Sequence, residues 1–253
     1  MRENTSPKVT VVMPCYNAEP FIAESIESVI RQSFHDWEMI IVDDGSKDNS
    51  LDIIKQYAAK DDRIRYIASE KPSGSPAEPR NIGIRAARGR YIAFLDSDDI
   101  WTEDKLADQI ALFSNGDYVV VNCHYESITE DGKRSNRIHK EPMSVDYKKL
   151  LRYNGIGCSE AVFDTQKVGK PIFKNIGHED YLFWLDVMKL GGVSANTGKV
   201  QLLYRERSGS TSANKLRAMG WTWKIYRKEI GLPLYKACFY FFSYLLKGIE
   251  RHI

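Results

Sequence analysis

Little in this 253-residue chain marks it as a specialised protein. Its four cysteines, Cys15, Cys123, Cys158 and Cys238, form no CxxC pair and lie far apart. That spacing suggests neither a zinc ribbon nor a compact disulfide framework, and it suits a reducing cytoplasm. The longest nearly pure apolar run, Ala237 to Leu246, has 10 residues, about half the ~20 of a transmembrane helix. The polar start MRENTSPKV lacks the apolar core of a secretory signal, so the expected location is the cytoplasm. Internal repeats and low-complexity tracts are missing, and 43% hydrophobic with 28% charged residues is ordinary globular composition.

The overall charge of +2 conceals an uneven distribution. From Arg205 onward ten basic residues face Glu206, Glu229 and Glu250, a net of +7, whereas the chain before it carries 26 basic and 31 acidic residues, or −5. A basic tail can meet nucleic acid, anionic lipid or an acidic substrate, and composition alone does not choose among them.

What is present is an alternation of β-rich and helical patterns. VTVVMP (Val9 to Pro14), MIIV (Met39 to Val42), IRYI (Ile64 to Ile67), YIAFL (Tyr91 to Leu95) and YVVVN (Tyr118 to Asn122) read as strands. Phe21, Ile22, Ile26, Val29 and Ile30 recur at helical spacing in the first gap, as do Leu51, Ile53, Ile54 and Tyr57 in the second. A third helix is expected near Thr102, capped by its hydroxyl, with Glu103 and Asp104 in the first turn. These βαβ units predict an α/β fold, an open and mostly parallel twisted sheet flanked by helices. The polar stretch from Ser127 to Pro142 reads as a surface excursion before a less regular second half.

Ligands of such sheets bind beyond the carboxyl ends of the strands. Three polar clusters fall there: CYNAE, DDGS and DSDD. In the last, Asp96, Asp98 and Asp99 are close enough to repel one another, so a positive partner is expected beside them. Read as a continuing strand, the segment turns Asp96 and Asp98 to one side and Ser97 to the other. Paired carboxylates of this kind suit Mg²⁺ or Mn²⁺, which bind through one or two carboxylates plus substrate phosphates. A polar turn capping the next helix gives the same short pattern.

Two long ordered stretches decide the reading. VVMPCYNAEPFIAESIESVIRQSFHDWEMIIVDDGSKDNS and RNIGIRAARGRYIAFLDSDDIW resemble the nucleotide-binding opening and the metal-motif segment of the family 2 glycosyltransferases, enzymes of the GT-A fold. The resemblance runs from Lys8 to about Ser212. It implies that Pro14 and Tyr16 surround the nucleoside, with Asp44 on the base, Asp43 beside it and Arg80 near the nucleotide, and that Asn17 belongs to the nucleotide-sugar site. It further implies that Asp96 lies near ribose and metal, that Ser97 belongs to the same nucleotide-sugar site, and that Asp98 ligates a divalent cation, Mn²⁺ or Mg²⁺. GSPAEPRN departs from the family pattern, since Pro76, Glu78 and Pro79 stand where small residues are usual; it reads as a loop stiffened by its prolines, with Glu78 adding negative charge near the donor site.

Inverting transfer to a hydroxyl needs a base on the face opposite the leaving diphosphate. In GHEDYLFWLDVMKLGG, Phe183, Trp184, Val187, Met188 and Leu190 mark a helix with Glu179 and Asp180 in its first turn, where the helix dipole favours their ionised forms. Acidic residues in a first turn are also ordinary helix stabilisers. The tract resembles the family's ED motif, which gives the base role to Asp180 and an orienting role to Glu179. Arg205 and Arg207, in a loop from Tyr204 to Ser212, are candidate contacts to the diphosphate. The QxxRW sequence of processive synthases is absent, which favours one sugar per encounter.

The expected organisation is a GT-A domain over 1–212, with a nucleotide-binding half at 8–126 and an acceptor and base half at 143–212, followed by a helical basic and aromatic tail over 213–253. Trp221, Trp223, Tyr226, Tyr235, Phe239, Phe242 and Tyr244 among Lys224, Arg227, Lys228 and Lys236 suit a helix in a membrane interface, or a core or homodimer contact. The expected activity is inverting and metal-dependent, moving one sugar from a nucleotide diphosphate, a UDP-sugar, to a hydroxyl of a glycan or lipid-linked acceptor in surface polysaccharide or lipopolysaccharide biosynthesis, at the cytoplasmic face of the inner membrane. No nucleic-acid partner is expected. A nucleotidyltransferase should show a glycine-rich phosphate loop, which PCYNAEP is not; a catalytically dead sugar-nucleotide or glycan-binding module would not need both acidic motifs.

Overall fold

The computed structural model describes residues 6–207 and 215–250. Four strands, β1 (Val9–Cys15), β2 (Trp37–Asp43), β3 (Ile64–Ala68) and β4 (Tyr91–Phe94), pair in parallel in the order β3-β2-β1-β4. The connecting helices are α1 (Ile22–Ile30), α2 (Ser50–Ala58) and α3 (Ala77–Ala86). Beyond β4 the sheet is mixed rather than uniformly parallel. The short β5 (Ile100–Trp101) and helix α4 (Lys105–Asn115) lead into β6 (Tyr118–Ile128), and β8 (Val162–Asp164) enters between β4 and β6, antiparallel to both. Strand β6 therefore runs the same way as the first four, and β9 (Val193–Arg205) lies parallel to it.

Every residue of β1 is buried, because helices cover both faces of the sheet. Alternate residues serve two cores: Val9, Val11 and Met13 face Ile22, Ile26, Leu106 and Ile110, whereas Val12 joins Ile84, Phe94, Phe183 and Trp184 on the other side. Close approach of α3 to that second face requires Gly83, since a Cβ there would lie 2.3 Å from the Val12 side chain.

Several expectations are corrected. The proline-bearing stretch before Asn81 is helical: Pro76 sits at the N-cap and Pro79 lies in the first turn, where a missing N–H costs no helix bond. The helix expected at Thr102 begins at Lys105 after Asp104, and it is the Thr102 carbonyl, not its hydroxyl, that accepts the Lys105 N–H. The stretch 127–142 is no simple excursion, because β6 extends to Ile128 and pairs antiparallel with β7 (Arg134–His139). The second half also contains α5 (Tyr147–Leu150), α6 (Thr165–Val168) and α7 (Glu179–Lys189).

The tail does not stand apart. After α8 (Lys215–Lys224) a π-helical turn, Ile225–Glu229, buries Ile225 and Tyr226 completely, and α9 (Leu234–Glu250) adds Ala237 to the same core. The Tyr226 hydroxyl donates to the Leu151 carbonyl at 2.6 Å and lies 2.8 Å from the Tyr181 hydroxyl. Trp223 and Tyr244 also pack on the core, leaving Tyr235, Phe239 and Phe242 exposed. All four cysteines are free. Among the described residues no helix is long and apolar enough to cross a membrane.

Candidate active site

Because β1, β2 and β4 are parallel, their carboxyl ends share one edge, and the segments following them form two adjoining cavities there. The larger, about 550 Å³, is lined by Pro14, Tyr16, Asp44, Arg80, Asp96, Ser97, Asp98 and Arg207. The smaller, about 280 Å³, is lined by Asp99, Glu160, Glu179, Asp180 and Tyr204 among others. Pro76, Arg80 and Asp96 line both.

Arg80 forms the dividing wall. It is 4% exposed, reaches Asp96 at 2.6 Å and Glu179 at 3.0 Å, and lies over the Phe173 ring at 5.3 Å. Desolvation works against its charge, but Asp96, with Glu179 among the other neighbours, more than offsets it and holds the guanidinium well above its usual pKa. The positive partner expected beside the aspartates is thus at least partly arginine: Arg80 meets Asp96, and Arg207 meets Asp98 at 3.2 Å.

The strand reading of DSDD fails in its detail. Strand β4 stops at Phe94, and the Asp99 N–H donates to the Asp96 carbonyl, so the motif is a turn. Asp96, Ser97 and Asp98 all line the larger cavity, while Asp99 is buried toward the smaller one. Burial raises the pKa of Asp98, and the Asp96 charge raises it further. Asp99 is pushed up by burial and by both neighbours.

The remaining assignments divide. Asp44 faces the cavity but also accepts from the N–H and hydroxyl of Ser73 at 2.9 and 2.8 Å. Asp43, Asn17 and Arg205 do not line it. Asp43 caps its own turn by accepting the Ser46 N–H, leaving Oδ1 buried and unpartnered. Asn17 ties two loops together by donating its N–H to Ser46 and accepting from the Lys47 N–H. Arg205 is the last residue of β9, not part of a loop, and is 4% exposed; its guanidinium meets Glu24 at 2.7 Å and donates to the carbonyls of Asp98 and Glu130. Its backbone N–H donates to Asp99, so it braces the turn from behind instead of offering charge to a phosphate. Residues 208–212 of the expected loop lie outside those described.

Helix α7 is fixed by its apolar side. Phe183 stacks on Phe173 at 4.0 Å, and both it and Trp184 meet Phe94 of β4, which aims the first turn into the smaller cavity. His178 precedes it in a left-handed conformation, edge-on to Trp221. The tail lies hard against this entry: a Cβ on Gly177 would come 2.2 Å from the Trp221 ring. Burial raises the pKa values of both Glu179 and Asp180, against the direction in which the helix terminus acts.

Glu160 was not expected at this site. It is 5% exposed, with Oε2 unpartnered, and burial raises its pKa to about 8 despite a backbone hydrogen bond from Gly157 and nearby Lys105. The available signal was an acid set among Cys158, Ala161, Val162 and Phe163, where a charged residue is rarely found unless buried for a purpose. Folded protein therefore keeps a proton that an unfolded glutamate releases. Stability should fall by up to about 1.4 kcal/mol per pH unit between the ordinary glutamate range and about pH 8, then level off. Denaturant unfolding of Glu160→Gln beside the parent at pH 5 and pH 8 should show the variant gaining with pH; a pH-independent difference would remove the buried acid from the account.

Residues 10–169 match the description "Glycosyl transferase family 2". The chain belongs to that family. It is 35% identical to the putative teichuronic acid biosynthesis glycosyltransferase TuaG of Bacillus subtilis, over 99% of both chains. It is 34% identical to WfgD of Escherichia coli, a UDP-Glc:alpha-D-GlcNAc-diphosphoundecaprenol beta-1,3-glucosyltransferase, over 96% of this chain and 94% of that one. The fold resembles S. aureus TarS 1–349 in complex with UDP-GlcNAc, with a TM-score of 0.72 and 22% identity over 87% of this chain and 67% of that one. It also resembles the Pyrobaculum calidifontis mannosyltransferase PcManGT in complex with GDP-Man and Mn²⁺, with a TM-score of 0.66 and 19% identity over 90% and 65%. The expected GT-A fold and the glycosyltransferase class are thereby shown.

Proposed function

We propose that this family 2 glycosyltransferase moves one sugar per encounter, with inversion, from a UDP-sugar to a hydroxyl of a lipid-linked glycan during assembly of a bacterial surface polysaccharide. The observation that carries the reading is the pair of cavities sharing the Arg80–Asp96 wall: Asp44, Tyr16 and Asp98 lie on one side, Glu179 and Asp180 on the other. A nucleotide in the larger cavity leaves its sugar at the wall, within reach of an acceptor in the smaller one. Asp180 is the base, and Glu179, held by Arg80, orients it or the acceptor. The names of TuaG and WfgD support the pathway and the acceptor class.

The residues fit a divalent cation. Asp98 and Asp96 present hard oxygen donors to the cavity proposed for the diphosphate, and their mutual repulsion would be relieved by Mn²⁺ or Mg²⁺. Among the described residues no cluster of three ligating side chains occurs, but such ions commonly take one or two carboxylates and complete their shell with phosphate and water. Bound there, the ion would stabilise charge on the departing diphosphate. Of the two arginines expected to contact the diphosphate, Arg207 faces that cavity, as Arg80 does, and Arg205 has no direct part.

Release of UDP should appear when the protein meets a UDP-sugar, Mn²⁺ and a GlcNAc-diphosphate-lipid acceptor, with far less from GDP-mannose. No nucleotide release from any sugar nucleotide tested, with thermal protection by UDP still present, would instead indicate a binding module. The reading also places the enzyme peripherally on the cytoplasmic face of the inner membrane, with no role for nucleic acid.

A further inference from the structure

Helix α9 is apolar on two opposite sides. Ala237, Tyr240, Phe241 and Tyr244 pack on the core. Tyr235, Phe239, Phe242 and Leu246, spaced by four, three and four residues, form a second stripe that is 71, 55, 64 and 47% exposed. A helix apolar all round is ordinarily covered on every side, and a contiguous exposed stripe marks a contact surface.

The stripe adjoins a basic cavity of about 590 Å³, lined by Lys140, Lys149, Arg152 and Lys247. The two features touch: the Arg152 guanidinium lies 5.2 Å from the centre of the Phe239 ring, and Lys247 follows Leu246 in the chain. One carboxylate, Glu141, lines the same cavity, and it accepts from the Tyr153 hydroxyl at 2.6 Å. Cations beside exposed aromatics select a ligand with an anionic head and an apolar body. A second copy of this chain fits less well, because twofold pairing of the stripes would bring the two basic cavities toward one another.

We infer that α9 lies in the headgroup layer of an anionic bilayer, its exposed stripe at the acyl boundary, with a lipid phosphate held among Lys140, Lys149, Arg152 and Lys247. This deepens the membrane-surface part of the function proposed above and rests on that reading only for the acceptor's identity. The docked face is tied to the base. Arg152 follows Leu150 by two residues, the Leu150 carbonyl accepts from the Tyr181 hydroxyl at 2.9 Å, and Tyr181 follows Asp180. The proposed bilayer face and the proposed base are thus joined through one hydrogen bond and two short stretches of chain.

The test uses the full chain and flotation with phosphatidylglycerol–phosphatidylcholine vesicles or phosphatidylcholine alone, so it does not depend on sugar transfer. The protein should float with the anionic vesicles and be released progressively by salt. Removing two cations in Lys149→Gln/Arg152→Gln should lower the partition coefficient by about fivefold for each charge and flatten the salt dependence. Phe239→Ser/Phe242→Ser should lower it at least tenfold at every salt concentration. Both pairs are exposed, so melting temperatures matching the parent's will separate lost docking from lost folding. Absence of flotation at low salt, or flotation unaffected by both double variants, overturns the proposal. So does concentration-dependent dimerisation abolished by Phe239→Ser/Phe242→Ser, which would give the stripe to a second copy.

Discussion

Asp180→Asn should lower sugar transfer by at least ~10², the scale of general-base catalysis, while metal-dependent UDP binding stays close to that of the parent. The separation follows from position: Asp180 lines only the smaller cavity, and Asp44, Tyr16, Ser97 and Asp98 line the larger. Burial raises the Asp180 pKa, which makes its carboxylate a stronger proton acceptor than an exposed aspartate. A base must first lose its own proton, so kcat/KM of the parent should climb with pH along a limb lying above the ordinary aspartate range. The Asn variant should lack that limb. Glu179→Gln supplies the contrast, since Glu179 is committed to Arg80 and its removal should disturb acceptor KM as well as kcat. A comparable loss of UDP affinity in Asp180→Asn would move the residue into the donor site, and unchanged transfer would end its candidacy.

Much of the frame behind that site was legible because burial on both faces leaves a strong signature. The continuous apolar runs of β1, β2 and β4 and the periodic apolar residues of α1 placed three polar clusters on one edge. The second half was less legible for physical reasons that differ from place to place. Strand β7 is exposed along nearly its whole length, so it carries no alternation to read. The prolines at the N-cap and in the first turn of α3 mimic a loop signal, yet they occupy the positions where a helix tolerates them. Arg205 illustrates a deeper limit. A basic residue near a nucleotide motif reads as a phosphate ligand, and only the closure of β9 over the DSDD turn shows its charge already used by Glu24 and three carbonyls. Tail aromatics posed the same ambiguity: Tyr226 and Phe242 look alike in sequence, but one is fully buried and the other is 64% exposed.

Asp98→Asn should reduce turnover by about three orders of magnitude, the equivalent of roughly 4 kcal/mol of lost stabilisation of the leaving diphosphate. Loss of UDP affinity should be confined to conditions with Mn²⁺ or Mg²⁺, because an amide is a poor substitute for a carboxylate toward a hard cation but leaves the nucleoside side of the cavity intact. Chelation of the parent should reproduce the variant. Stability supplies an independent sign. Asp98 sits among like charges, and burial together with Asp96 raises its pKa, so its ionised form costs the folded state stability that Asn does not. The contribution acts from the ordinary aspartate range upward, growing until pH passes the raised folded value, so metal-free Asp98→Asn should be at least as stable as the parent at neutral pH. The contact at 3.2 Å from Arg207 is partly exposed and offsets little of this. Adding Mn²⁺ with UDP should then raise the melting temperature of the parent well above that of the variant. Equal protection of both proteins would remove Asp98 from the metal site, and a metal-free variant less stable than the parent would mean that the Arg207 contact, not the repulsion, governs this turn.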